Sequence, residues 1–121
     1  MVPWLEPGSP FPDTRDALTD PDGLLAAGYN NVAQVYEPND DAADVKTAIE
    51  DGLGVINYTG HGSSGAWSTS GFDRNDVDAL QNSNQLPWII SVACVNGQFH
   101  NADDCFAERW LRATDSAGEP T

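Results

Sequence analysis

Two short apolar runs constrain this chain more than any other feature: residues 53–58, Leu-Gly-Val-Ile-Asn-Tyr, and residues 88–93, Trp-Ile-Ile-Ser-Val-Ala. Both are nearly continuous in apolar character and rich in β-branched and aromatic side chains, as expected of strands covered on both faces. Between them lies a helical pattern over residues 73–81, with acidic residues in its first turn and Val77 and Leu80 at i, i+3. A strand, a helix and a second strand in that order join by a right-handed crossover, so the two strands run parallel. Their carboxyl ends then reach the same sheet edge, where open α/β folds bind ligands. His61 and Cys94 each stand just past one of those ends.

The rest of the chain extends the same pattern. Residues 31–37 read as a further strand, Pro38-Asn39-Asp40-Asp41 supplies turn and N-cap residues, and a helix over residues 42–51 is closed by Gly52. Asp103 or Asp104 caps a last amphipathic helix through Ala113. The order β-α-β-α-β-α predicts an α/β fold with helices on the faces of a parallel sheet. Residues 1–30 form a loop-rich segment with four prolines in residues 1–12 and a short helix over 24–27 ending at Gly28. Residues 31–114 form the βαβαβα core, and residues 115–121 a cut C-terminal loop. Three parallel strands have open edges, so the chain reads as a piece of a larger domain.

Charge narrows the partners. Nineteen acidic residues against five basic ones give a net charge of −14, which repels phosphates and anionic headgroups and argues against nucleic-acid and membrane-surface binding. A cationic partner fits better, although the charge also serves solubility alone. No signal peptide opens the chain and no apolar stretch approaches a membrane span. Two cysteines make no disulfide framework, and His61 and His100 lack ligand partners at metal-site spacing.

Neutral thiol is a poor nucleophile, and an imidazole that takes its proton turns it into thiolate, so a Cys/His pair on one sheet edge points to covalent acyl transfer. Gly60 and Gly62 flank His61, allowing a tight turn and leaving amide N–H groups uncovered for an oxyanion. Each residue alone has an ordinary reading: a histidine in a glycine-rich turn is usually a loop residue, and a free cysteine usually a small buried hydrophobe. Together, at corresponding places one crossover apart, they are worth more than their parts. Cys105, beside Asp103 and Asp104, reads as a packed structural thiol. A Cys94–Cys105 disulfide is the alternative that would silence the nucleophile. His100 reads as loop decoration, and Trp67, Trp88 and Trp110 as core aromatics, with cleft lining a second role for Trp67.

The blocks Val55-Ile56-Asn57-Tyr58-Thr59-Gly60-His61-Gly62-Ser63 with Trp67, Cys94-Val95-Asn96-Gly97-Gln98-Phe99, and Cys105-Phe106-Ala107-Glu108 together resemble the gingipain family of cysteine peptidases, over residues 35–112. More distantly the His-Gly and Ala-Cys elements are similar to those of caspases and clostripain-like enzymes. The resemblance implies a caspase-like three-layer α/β sandwich with a mainly parallel sheet, of which this chain is a partial domain. It implies a dyad of His61 as general acid/base and Cys94 as nucleophile, with the backbone N–H groups of Gly62 and Cys94 as oxyanion hole. The implied activity is endopeptidase cleavage of protein or peptide substrates through a thioester, by a secreted or cell-surface enzyme. No cofactor is required, and structural calcium is common in the full domain. The resemblance also implies an upstream acidic partner and an acidic residue selecting a basic P1 side chain, both in the domain's N-terminal part and neither assigned to a residue of this chain. A sortase-like transpeptidase and a non-catalytic scaffold of the same fold are the rival readings.

Overall fold

The computed structural model describes residues 23–35, 39–100 and 103–121. Helix α1 (Ala42–Glu50) begins where Asp41 closes a reciprocal cap. Its carboxylate accepts from the Ala43 N–H at 2.8 Å, while the Asp44 carboxylate accepts from the Asp41 N–H at 2.9 Å. Gly52, at φ +91°, ends the helix in the left-handed region that glycine enters without penalty. Val45 and Ile49, one turn apart, are its buried pair. Strand β1 (Val55–Thr59) alternates, with Ile56 and Tyr58 turned into the core.

β1 is followed by a three-stranded antiparallel ribbon of two-residue strands, β2 (Gly62–Ser63), β3 (Ala66–Trp67) and β4 (Phe72–Asp73). Asp73 then caps α2 (Arg74–Asp78), accepting from the Asn75 and Asp76 N–H groups at 2.7 and 3.2 Å. Strand β5 (Trp88–Val92) pairs with β1 in parallel, and α3 (Phe106–Arg112) closes the order. The core holds Val45, Ile49, Ile56, Tyr58, Trp67, Phe72, Val77, Leu80 and Phe106. At its centre the Trp67 ring stacks on Tyr58 at 4.5 Å between centroids and meets the Phe106 ring edge-on at 5.3 Å.

A parallel β-α-β unit with helices packed on it is the caspase-like α/β arrangement expected, present as a partial domain. Several elements differ from expectation. Residues 24–27 form a turn instead of a helix, with Gly28 at φ +98°. Residues 31–35 carry no strand, so the described parallel sheet has two strands and not three; residues 36–38 and the proline-rich residues 1–12 lie outside the described residues. α2 stops at Asp78 with Ala79 as its C-cap, short of the Gln81 expected. α3 is not capped by Asp103 or Asp104: Cys105 is its N-cap, Glu108 reaches back to the Cys105 N–H at 2.9 Å, and the Asp104 carboxylate pairs with Arg112 at 2.6 Å.

The largest correction concerns β5. Instead of being covered on both faces, it exposes Trp88 (69%), Ile90 and Val92 (56%), and Trp88 is therefore not a core aromatic. Alternation puts these three on one face while Ile89 packs against the core from the other. No described residue seals that outer face, where a cavity of about 740 Å³ opens between Tyr29, Val35, Leu53, Trp88 and Ile90.

Residues 114–121 form a folded-back loop in which Thr114 bridges Pro120. Asp115 organises it, accepting from the Ser83 hydroxyl and from the Ala117 and Glu119 N–H groups at 2.8 and 3.0 Å. Those bonds, the Ser83 hydroxyl foremost, hold its carboxyl below the ordinary value of 3.8. A carboxyl lowered on folding stabilises the fold above its unfolded value and loses that contribution as pH falls through the folded one. Replacing Asp115 with Ala is therefore expected to lower the melting temperature at neutral pH, with the gap to the parent closing below pH 3.8. A gap that persists in acid would mean the loop is held by something other than the carboxylate.

Candidate active site

β1 and β5 are registered so that Thr59 faces Val92, and His61 and Cys94 each stand two residues beyond that pair. The ladder continues one step, the Gly60 N–H donating to the Val92 carbonyl at 3.2 Å. Gly62 then lies directly against the exit of β5. A Cβ at this position would sit 2.7 Å from the Ala93 Cβ and 2.7 Å from the Cys94 carbonyl oxygen, so only glycine permits the approach. A Cβ on Gly60 would likewise meet the Tyr58 and Thr69 hydroxyls at 2.8 Å. The two glycines bracket His61 for separate steric reasons, one on each side.

The backbone of His61 is fixed at three points. Its N–H donates to Thr69 Oγ1 at 2.9 Å, and its carbonyl accepts from the Tyr58 hydroxyl at 2.5 Å and from the Ser68 N–H at 2.8 Å. The imidazole itself is exposed and makes no hydrogen bond to a described residue, Cys94 and every described carboxylate included. Cys94 is a free, exposed thiol, whereas Cys105 is free and 1% exposed at the N-cap of α3, as a packed structural thiol should be. His100 is exposed in the loop after Cys94.

The bond from Ser68 N–H to the His61 carbonyl marks Gly62 and Trp67 as a non-hydrogen-bonded antiparallel pair, so the Gly62 N–H is turned away from β3. The Cys94 N–H has no partner among the described residues. Among the described residues neither of these two N–H groups, one next to His61 and one on Cys94 itself, has a hydrogen-bond partner. Cys94 opens a turn whose next residue, Val95, has φ +50°, a costly conformation for a β-branched side chain. Trp67 does not line this edge: it is 1% exposed, its indole N–H donates to Ser91 Oγ at 2.9 Å, and it reaches only the floor of the cavity beside β5, whose lining includes neither His61 nor Cys94.

Among the described residues no group of three His, Cys, Asp or Glu side chains converges as metal ligands would. Sequence reading missed Tyr58, Thr69 and Asn96, which hold the site's backbone. Tyr58 carries a weak signal, a hydroxyl on the buried face of β1, while Thr69 and Asn96 look like ordinary loop residues.

Residues 9–118 match Peptidase family C25. Gingipain R2 of Porphyromonas gingivalis is 40% identical over 119 residues, which are 94% of this chain and 16% of that protein, so the chain spans about one sixth of that relative's length. The crystal structure of the Arg specific cysteine proteinase gingipain R superposes with a TM-score of 0.77 at 45% identity, over 81% of this chain and 22% of that one. A leucyl/phenylalanyl-tRNA–protein transferase of Alcanivorax borkumensis is 93% identical over 28 residues, 23% of this chain and 12% of that one, a stretch too short to show a family. With its matched residues and its fold both in agreement, the chain belongs to Peptidase family C25, a gingipain-like family of cysteine peptidases.

Proposed function

We propose that this chain is the part of a cysteine endopeptidase domain that carries the nucleophile and its general acid/base. The observation that supports this most is the β1–β5 register together with Gly62 seated against the Cys94 carbonyl, which brings the backbone next to His61 against the backbone of Cys94, both residues being exposed and the thiol free. Cys94 gives its proton to His61, its sulfur bonds to the scissile carbonyl carbon, and the carbonyl electron pair moves onto oxygen, facing the Gly62 and Cys94 N–H groups. Collapse breaks the C–N bond. The amine leaves with the proton from His61, and a thioester on Cys94 remains. Water then adds to the thioester, giving a proton to His61; the acid departs and the thiol is restored.

The free imidazole suits such a cycle, because catalytic hydrogen bonds commonly tighten only with substrate in place. A net charge of −14 favours protein or peptide substrates with basic residues, and the likeness to gingipains supports a secreted or cell-surface setting. No cofactor enters the cycle.

Limiting iodoacetamide and a peptide-cleavage assay on the complete domain test this reading together. Cys94, exposed, should be alkylated first and Cys105, 1% exposed, only on unfolding, with cleavage lost in proportion to label on Cys94. Cleaved products should end in free carboxylates. Cleavage that survives full alkylation of Cys94 would overturn the proposal, and products joined to an added amine would make the domain a transpeptidase.

A further inference from the structure

Asn96 is 6% exposed, and its side chain is more fully engaged than any other polar group near the dyad. Its Nδ2 donates to the Ser63 carbonyl at 2.6 Å and to the Ala66 carbonyl at 3.0 Å. Its Oδ1 accepts from the Ser91 hydroxyl at 3.0 Å, and that hydroxyl accepts from the Trp67 indole N–H at 2.9 Å. The directions leave no choice of amide orientation, since two carbonyls face one end and a committed hydroxyl the other. Such a chain, in which the Ser91 hydroxyl and the Asn96 amide each both accept and donate, is cooperative in a partly buried setting.

What the chain connects gives it consequence. Ser63 and Ala66 bracket the turn between β2 and β3, and β2 begins at Gly62, next to His61. Ser91 lies in β5, three residues before Cys94, and Asn96 lies two residues after it. Its carbonyl also accepts from the Ala107 N–H at 3.0 Å, which ties in the first turn of α3. Val95, between Cys94 and Asn96, holds φ +50°, a conformation that persists only where its surroundings over-determine it. The bonds of Asn96 supply that constraint.

We propose that Asn96 is a positioning residue: it locks the turn that carries Cys94 onto the hairpin that carries His61 and Gly62, and so sets the separation of thiol and imidazole and the aim of the Cys94 N–H. This rests on the endopeptidase reading above. Asn96 touches neither substrate nor the reacting atoms in this role. It acts through the backbone of its neighbours.

The test compares Asn96→Asp, Ser91→Ala and Cys94→Ala in the complete domain, with kcat expressed per folded molecule. Asn96→Asp keeps size and the acceptor for Ser91 but puts a carboxylate oxygen against two carbonyls in place of two N–H donors. Misplacing reacting groups by about 1 Å costs on the order of a hundredfold, so kcat should fall about 10- to 100-fold while KM changes little. Ser91→Ala leaves both donors of Asn96 in place and should lower kcat several-fold, again with KM nearly constant. It carries the test if Asn96→Asp fails to fold. A purely structural role would lower the melting temperature and leave kcat per folded molecule at the parental value. If Cys94→Ala is inactive and the two network variants keep parental kcat, or Ser91→Ala alone does so when Asn96→Asp does not fold, this inference falls and the endopeptidase reading stands. If Cys94→Ala still cleaves peptide, both fall together.

Discussion

Cys94→Ala in the complete domain is expected to lower peptide turnover by at least about four orders of magnitude, and His61→Ala by about two to four. Cys94 offers a free, exposed thiol and His61 an exposed imidazole at this sheet edge, the pair the proposed acyl transfer requires. Because the two act as one unit, the double variant should be scarcely worse than Cys94→Ala alone. Both side chains are exposed, so neither change opens a cavity, and melting temperatures should stay near the parent's. Steady-state kinetics with a peptide substrate, alongside thermal melts, separates the two effects. Turnover of Cys94→Ala at the parental rate would remove Cys94 from the reaction.

Gly62→Ala should be almost as damaging for a different reason. The new methyl would enter space 2.7 Å from the Ala93 Cβ and 2.7 Å from the Cys94 carbonyl oxygen, and the latter is backbone that cannot rotate aside. The hairpin bearing His61 must then move away from the turn bearing Cys94. Overpacking of this kind costs about 1–3 kcal/mol of stability. A shift of about 1 Å between reacting groups costs on the order of a hundredfold in rate, with further loss from re-aiming the Gly62 N–H. The expected result is a drop in kcat/KM of about a hundredfold or more at a temperature where the variant is still folded. Parental kcat/KM in a folded Gly62→Ala protein would show that the two backbones can separate without consequence.

The site was legible in the sequence where the chemistry followed from topology. Two β-rich runs either side of one crossover were enough to place His61 and Cys94 on a common edge, and the parallel pairing of Thr59 with Val92 realises that placement. The cap at Asp41 and the stop at Gly52 were legible because local hydrogen bonding and a left-handed φ have direct residue signatures. The ribbon β2–β3–β4 was not, since strands of two residues are too short to show a period. Trp88, Ile90 and Val92 misled because apolar character records what a strand is suited to pack against, whatever part of the domain supplies it. Asn96 was hidden for the opposite reason. An asparagine before a glycine reads as a turn residue, and only the fold brings the Ser63 and Ala66 carbonyls to its amide.

Trapping the acyl-enzyme asks most directly whether Cys94 attacks the scissile carbonyl with the help of His61. The complete domain is mixed with a slowly hydrolysed peptide ester, quenched in acid within the first turnover, digested with pepsin and mapped by mass spectrometry. The amino-terminal half of the substrate should be found in thioester linkage on the peptide containing Cys94, released by hydroxylamine, and strongly reduced in His61→Ala. An acyl group on another residue, or rapid cleavage with Cys94 never acylated, would contradict the assignment of the dyad.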